Sequence, residues 1–182
     1  MRTPICDLAA ERAILGAILV DDGRLLDVSE QLSPSDFYRE AHRQLYDVLL
    51  GLSERRQAID MTTGVSALGK GLAAVGGPVY LVELMDGVPR GSNVGEYCRI
   101  VREAATRRRL QKVADRAILE ANDGEITAAE ALDHAEAAIF AISEKQHAGD
   151  LVSAEVVVGE AYAYLEQIAH GGGVAGVRTG LP

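Results

Sequence analysis

The 182-residue sequence is poor in aromatic side chains, which make up 4% of it, and it contains no tryptophan. Strands use aromatic and β-branched side chains to cover a pleated surface, so this shortage favours helices. Hydrophobic residues nevertheless make up 48% of the chain. The core must therefore be aliphatic, and a chain of this length can bury enough of it to fold without disulfides or metal. We expect an all-α protein.

Cysteines, long apolar runs and positive charge are also scarce. The two cysteines, Cys6 and Cys98, lie far apart and form no C-x-x-C pattern, which argues against a disulfide framework or a zinc site. There is neither a signal peptide nor an apolar run long enough to cross a bilayer, so we expect no membrane contact and a cytoplasmic location. The formal net charge of −9 repels phosphate groups, and little direct DNA binding is expected.

Residues 1–91 are predicted to form a small globular helical head. Asp7 is placed to cap a first helix, and Leu8, Ile14 and Ile18 recur on one face of it at helical spacing. A second amphipathic helix is predicted over 41–52. Glycines and a proline at 76–78 mark a turn before a short apolar helix.

Residues 92–146 are predicted to form an antiparallel helical hairpin. One long helix runs to about Asn122, and Thr127 with Glu130 forms a capping box that starts the returning helix. The apolar stripe of the hairpin fits intramolecular packing and a dimer interface equally well, and both readings stay open. The predicted dimer interface consists of Leu110, Val113, Ala114, Ala117, Ile118, Leu132, Ala135, Ile139 and Ile142.

Residues 147–182 are predicted to be a linker that carries a separate linker helix. Ser153 is placed to cap this helix, and its apolar side has nothing after it in the chain to cover it. The docking residues predicted on that side are Val157, Tyr162, Leu165 and Ile168. Residues 174–182 are expected to lie at the start of a second domain.

Several short motifs, in matching order and spacing, resemble those of the DnaB family of bacterial replicative DNA helicases. Each motif is short, but together they extend over nearly the whole chain. They are Asp7-Leu8-Ala9-Ala10-Glu11, the run 35–42 (SDFYREAH), Ile59-Asp60, the run 76–81 (GGPVYL), Val88-Pro89, Asn93, Tyr97, the run 100–103 (IVRE), and the run 176–180 (GVRTG).

This resemblance implies the amino-terminal collar and linker of a hexameric helicase. In the family, hairpins pair into dimers, the dimers assemble into a ring, the collar recruits primase, and the linker helix docks on a neighbouring subunit. A helicase loader is a further candidate partner. Tyr80, Gln111 and Ala117 occupy the implied primase-contact positions, although Gln111 and Ala117 depart from the apolar residues usual there.

The chain itself shows no catalytic, cofactor or metal site. It contains no G-x-x-x-x-G-K-[ST] phosphate loop, so ATP and magnesium are expected to bind a RecA-like ATPase domain that follows this chain in the parent helicase. An alternative hypothesis is a stand-alone helical adaptor, or a loader-like protein, that binds a helicase ring. Direct binding of single-stranded DNA is a third, disfavoured by the acidic charge and the lack of aromatic platforms.

Some polar and aromatic residues have a structural interpretation as well as a functional one. Phe37 and Tyr38 are predicted to be core residues, because an aromatic-poor protein uses its rings to fill space. His42 is predicted to be a buried, hydrogen-bonded packing residue rather than a catalytic one. The basic run Arg107-Arg108-Arg109 is predicted to be a solvated helix face.

Overall fold

A computed structural model of the chain describes residues 4–88 and 93–147. Every regular element in these residues is helical, which confirms the all-α prediction. The helices are α1 (Leu8–Val20), α2 (Arg24–Ser29), α3 (Glu40–Glu54), α4 (Met61–Leu68), α5 (Leu72–Val75), α6 (Gly77–Asp86), α7 (Val94–Ala121) and α8 (Ala128–His147), with short 3-10 turns at Pro34–Asp36 and Gly69–Gly71.

The chain divides into two compact units, Met1–Lys145 and Gln146–Pro182. The predicted linker helix and its docking residues Val157, Tyr162, Leu165 and Ile168 lie outside the described residues, so these assignments remain predictions.

Helix α1 lies in the middle of the head and packs against both α6 and α7. As predicted, the Asp7 side chain caps it by accepting a hydrogen bond from the Ala10 N–H at 2.9 Å. Ile14 and Ile18 are fully buried, and each such side chain stabilises the fold by about 1.5–3 kcal/mol. Leu8, predicted on the same face, is instead exposed, because it precedes the part of α1 that other helices cover.

Helices α1 and α6 approach each other closely at Gly16. A β-carbon built there would lie 2.0 Å from the Leu84 carbonyl oxygen and 2.7 Å from Cγ2 of Val88. No larger residue fits without moving backbone, so Gly16 sets the distance between the two helices.

The loop before α3 brings an aromatic pair into the core. Ser33 and Asp36 form a capping box around Pro34. Phe37 and Tyr46 are fully buried with ring centroids 4.9 Å apart, and the Tyr46 hydroxyl donates to the Leu32 carbonyl at 3.1 Å. The prediction that Tyr38 is a core residue was wrong: its N–H bonds to the buried Glu11, but 41% of the residue is exposed and its ring lies against Arg108.

Helix α7 begins in the head and extends beyond it. Asn93 caps its first turn. Four residues of its first half are buried in the head: Val94, Cys98, Val101 and Ala105. The helix has 28 residues and is therefore on the order of 42 Å long. After the turn at 122–127, the capping box of Thr127 and Glu130 starts α8, as predicted.

Candidate interaction surfaces

Tyr80 is held in place by the turn that precedes it. Gly76 and Gly77 have φ angles of +118° and +78°, which residues with a β-carbon rarely adopt. A β-carbon on Gly76 would lie 3.0 Å from both Cβ and Cγ of Tyr80. The two glycines thus make the turn, and the first also leaves room for the tyrosine side chain.

Beneath Tyr80 lies a buried polar pair, Glu11 of α1 and His42 of α3. Both are at most 1% exposed. Oε2 of Glu11 is 2.6 Å from Nδ1 of His42, and Oε1 accepts the Tyr38 N–H at 2.6 Å. The prediction that His42 is a buried, hydrogen-bonded packing residue is confirmed.

The hydrogen bonds of this pair continue to the surface. With the Glu11 carboxylate as acceptor, Nδ1 of His42 donates, and Nε2 lies 2.7 Å from the Tyr80 hydroxyl, from which it accepts when the imidazole is neutral. The Tyr80 oxygen in turn accepts from Nη1 of Arg39 at 3.0 Å. The Tyr80 hydroxyl therefore has two hydrogen-bond partners within the head, His42 and Arg39, which together fix its position.

Two exposed arginines lie over the Tyr80 ring. The guanidinium carbons of Arg39 and Arg12 are 5.0 Å and 5.7 Å from the ring centroid, within cation–π range. Arg12 is also 4.0 Å from the exposed carboxylate of Glu83. Among residues 4–88 and 93–147, no carboxylate lies within ion-pair distance of the Arg39 side chain. We call Arg12, Arg39 and Tyr80 the arginine–tyrosine patch.

The basic run on α7 is not the solvated face that was predicted. Arg107 is exposed, but Arg109 makes an ion pair with Asp36, and Arg108 donates to the backbone oxygens of Ile5, at 2.9 Å, and Asp36. Arg108 also lies over the Tyr38 ring, and burial lowers the pKa of its guanidinium below the usual value. These bonds tie α7 to the head where it leaves the core.

One side of each hairpin helix is half-buried. On α7 this side includes Val113 and Ala117, and on α8 it includes Ala135 and Ile142. The Glu120 carboxylate joins the two helices by accepting from His134 at 3.1 Å, and it also pairs with Arg116. Four of the nine predicted dimer-interface residues are thus half-buried within a single chain.

The other five predicted dimer-interface residues, Leu110, Ala114, Ile118, Leu132 and Ile139, are exposed. On α7 they recur every four residues, which makes one continuous stripe. Leu119 and Phe140, which were not predicted, are also exposed, at 72% and 64%. Each follows a predicted residue directly, so it lies about 100° further around its helix. We call the five predicted residues the exposed hairpin stripe.

The predicted primase-contact residues fall on two elements. Tyr80 is half-buried on α6, while Gln111 and Ala117 are half-buried on α7. The hydrogen bonds and ring contacts of Tyr80 reach α1, α3 and the residue before α3. Its contacts of these kinds in the described residues do not include Gln111 or Ala117.

The described residues hold neither a metal-binding cluster nor a single membrane-spanning helix. No group of three or more histidine, cysteine, aspartate or glutamate side chains in 4–88 and 93–147 is arranged to hold a metal ion. No single described helix is long and apolar enough to cross a membrane, although one bent pair, Met61–Val75 with Gly77–Asp86, would suffice by length and composition.

The sequence analysis did not identify Glu11 as the buried acceptor of this hydrogen-bond network, although the sequence indicates that its side chain is buried. It lies three, four and seven residues before Ile14, Leu15 and Ile18, so its side chain belongs to the apolar face of α1. A carboxylate on such a face needs buried partners. Its partners, His42 and the Tyr38 N–H, lie about 30 residues further along the chain. No local pattern in the sequence indicates that they contact Glu11.

Residues 3–103 match the model of a protein family described as "DnaB-like helicase N terminal domain". The chain belongs to this family. Over 99% of its length, the chain is 33% identical to the replicative DNA helicase DnaB of Geobacillus stearothermophilus. The chain spans 40% of the length of that relative, and the family model places the match in the N-terminal domain rather than the ATPase part.

Solved structures of DnaB proteins have the same fold. The crystal structure of the N-terminal domain of DnaB helicase from Mycobacterium tuberculosis is 38% identical, with a TM-score of 0.71 over 76% of this chain and 99% of that one. A structure described as a DnaB-like replicative helicase and its interactions with primase matches with a TM-score of 0.69 and 24% identity over 92% of this chain and 37% of that one. The latter identity supports the shared fold alone.

Proposed function

We propose that this chain is the collar of a hexameric replicative DNA helicase, in which it joins subunits and recruits primase. Its membership of the DnaB N-terminal family supports this function over that of a stand-alone adaptor or loader-like protein. In this proposal the chain is not an enzyme and holds no cofactor or metal. ATP and magnesium bind the ATPase domain of the whole protein, and the protein works in the cytoplasm.

The pairing part of this proposal rests on the exposed hairpin stripe. Its large side chains Leu110, Ile118, Leu132 and Ile139 are each more than half exposed. An apolar surface of this kind normally meets a partner, and a two-fold axis would place the stripe of one hairpin against that of a second copy. We propose that two hairpins pair in this way and that three such dimers make the ring.

The substitution Ile139→Asp tests hairpin pairing. It would place an unpaired carboxylate in an apolar interface twice per dimer, at a cost of several kcal/mol. The matched control is Leu26→Asp, because Leu26 is equally apolar and 67% exposed but lies on α2 of the head. The measurement is absolute mass by light scattering over a wide range of concentration.

We expect the unaltered chain and Leu26→Asp to grow from dimers towards hexamers, and Ile139→Asp to remain monomeric. Thermal unfolding of Ile139→Asp should still show an intact head, since Ile139 is not part of its core. Equal masses for all three proteins would reject the hairpin interface. A monomer at every concentration for the unaltered chain would favour the adaptor instead.

The primase part of the proposal rests on Tyr80, with Gln111 and Ala117 as further contacts. A solved DnaB-like replicative helicase of the same fold is described with its interactions with primase. Here Tyr80 is half-buried and anchored at its hydroxyl, so it presents its ring rather than a free polar group. Tyr80→Ala should weaken binding of primase in calorimetry, while Tyr97→Ala, a half-buried tyrosine on α7, should not.

The linker completes the proposed subunit. Val157, Tyr162, Leu165 and Ile168 are proposed to dock on the ATPase domain of a neighbouring subunit, and a loader is a further proposed partner. Substituting Leu165→Asp in the whole helicase should then reduce ring stability without affecting dimers of the collar alone.

A further inference from the structure

Two neighbouring arginines hold the point where α7 leaves the head. Ala105 is the last buried residue of α7, and none of the residues 106–144 is buried. Arg108 and Arg109 follow Ala105 within about one helical turn. Both side chains bond to the head instead of pointing into solvent, so they fasten α7 at the place where its apolar contacts with the head end.

Asp36 is the acceptor for both arginines, and its own turn holds it in place. Oδ2 of Asp36 accepts from the Ser33 N–H at 2.7 Å and from the Ser33 hydroxyl at 2.9 Å, while Oδ1 pairs with Arg109. The Asp36 side chain is 8% exposed and that of Arg109 is 24% exposed. An exposed ion pair loses most of its strength to water and to side-chain entropy, whereas this pair is shielded and ordered. We call Asp36, Arg108 and Arg109 the head–hairpin joint.

Arg108 joins α7 to two separate segments of the head. Its guanidinium donates to the Ile5 carbonyl, before α1, at 2.9 Å and to the Asp36 carbonyl, before α3. The same group lies 5.6 Å from the centroid of the Tyr38 ring, within cation–π range. From the other side, Arg43 of α3 donates to the next two carbonyls of this loop at 2.7 and 3.2 Å. The loop therefore cannot follow a movement of α7 without breaking its bonds to α3.

The position of the joint gives it leverage over the far end of the hairpin. From Arg109 to Ala121, α7 continues for about 18 Å. A change of about 10° in the direction of α7 at the joint would therefore move the tip by about 3 Å. A ring closes only when the rotation from one copy to the next has the right value. In a collar whose subunits pair through hairpins, that rotation depends on the angle between hairpin and head.

We propose that the head–hairpin joint fixes the direction of the hairpin relative to the head and thereby selects the closed ring over open chains or isolated dimers. Its three side chains are positioning residues, since they lie outside the exposed hairpin stripe and act through the direction of α7. The neighbouring pair of Arg107 and Glu103 has no such role, because both residues lie on α7. This inference rests on the proposed function, which supplies the ring, and adds what sets its geometry.

The first test is absolute mass by light scattering over a wide range of concentration. Arg109→Gln removes the ion pair, and Asp36→Asn removes its charge while an amide oxygen can still accept from Ser33. Arg109→Lys keeps the positive charge and serves as the conservative variant. The matched control is Arg107→Gln, which removes an exposed pair within α7. Ile59→Val, at a buried residue outside the joint, is a control for a mild loss of core packing.

We expect Arg109→Gln and Asp36→Asn to form dimers like the unaltered chain, but to form hexamers only at about tenfold or higher concentration, because every subunit of the ring must order a looser joint. Arg109→Lys should restore most of the assembly, and both controls should match the unaltered chain. Unchanged hexamers in Arg109→Gln and Asp36→Asn, or equal loss of hexamers in Ile59→Val, would overturn the inference and leave the collar intact. An unaltered chain that never exceeds a dimer would overturn the proposed ring and this inference together.

The second test measures the angle itself, as a distance between two spin labels. Cysteines introduced by Glu30→Cys in the head and Glu125→Cys at the hairpin tip, both at exposed positions, carry the labels in a Cys6→Ser chain, since the buried Cys98 does not react. Labelled chain is diluted into an excess of unlabelled chain, so that only distances within one copy are recorded. We expect a narrow distribution that becomes broader or shifts in Arg109→Gln and stays unchanged in the matched control. Identical distributions for all three proteins would overturn the inference whatever their masses.

Discussion

In the head, apolar side chains are buried, and even the hydrogen-bonded polar pair Glu11 and His42 is fully enclosed. In the hairpin, none of the residues 106–144 is buried, and the large apolar side chains are on the outside. The same 28-residue helix α7 belongs to both regions, so the difference does not come from secondary structure. The head has a core of its own, whereas the exposed hairpin stripe has no cover among the described residues of this chain.

This contrast predicts very different local stabilities. Isolated helices of hairpin length are marginal in water, while the amides of a packed core open only with the whole domain. In the Ile139→Asp variant, which we expect to be monomeric, backbone amides of 110–144 should exchange about a thousandfold or more faster than those of α1 and α3. Hydrogen exchange with mass spectrometry measures this.

The control for the exchange experiment is the unaltered chain at high concentration, where pairing should slow exchange in the hairpin and leave the head unchanged. Similar protection in both regions of the monomeric variant would show that the hairpin is stable by itself. The predicted difference in local stability between head and hairpin would then be wrong.

Removing the buried carboxylate should destabilise the head strongly. Glu11→Ala leaves the Tyr38 N–H and Nδ1 of His42 without their acceptor inside the core, and we expect a loss of about 3 kcal/mol in the free energy of unfolding. Urea denaturation measures it. Glu30→Ala, at an exposed glutamate of the same region, should change stability by less than about 0.5 kcal/mol; equal effects would mean that the network contributes nothing.

The bonds between head and hairpin should have an intermediate effect. Arg109→Gln removes the ion pair to the buried Asp36 and should cost about 1–3 kcal/mol. Arg107→Gln removes an exposed pair two residues away and should cost about 0.3–0.5 kcal/mol. The measurement is the midpoint of urea unfolding for each variant, and indistinguishable midpoints would restore the solvated-face interpretation for the whole run.

The last expected effect is absent near neutral pH and is a dependence of stability on alkaline pH. Burial raises the pKa of the Cys98 thiol to about 11, whereas an exposed thiol in the unfolded chain has a pKa of about 8.5. Between these values the folded state binds more protons, so stability is full below about pH 8.5 and falls as the pH rises towards 11. Cys98→Ala should remove this part of the decline, which urea unfolding at a series of pH values detects.

A thiol reagent provides the comparison within one molecule. Cys6 is partly exposed and Cys98 is fully buried, so Cys6 should react first and Cys98 only when the head opens. Simultaneous reaction of both would contradict the described core.

Local sequence signals predicted most of the fold. The Asp7 cap, the Thr127 capping box and the apolar spacing of α3 and α7 act within a few residues, so they can be read directly from the sequence. The errors all involve contacts between distant segments. Tyr38 and the basic run of α7 were misread because their exposure depends on how the loop at 34–39 meets α7, which no periodic pattern encodes.

The candidate sites divide in the same way. The nine dimer-interface residues of the hairpin were predicted as one set, because helical spacing shows that a face is apolar without showing what covers it. Only the packed structure separates Val113 and Ala117 from the exposed Leu110 and Ile118. The Tyr80 network was not predictable, since its members come from separate helices far apart in the chain and join through side-chain bonds.

The sequence by itself determined the helical class and the order of head and hairpin, because composition, capping and periodicity are local properties. It also contains the short motifs whose order and spacing resemble those of the DnaB family. The tertiary structure decided which apolar residues remain exposed, which arginines bond to the head, and how Glu11 and His42 hold Tyr80. These features depend on the distances between side chains from different helices, which are set only when the helices pack.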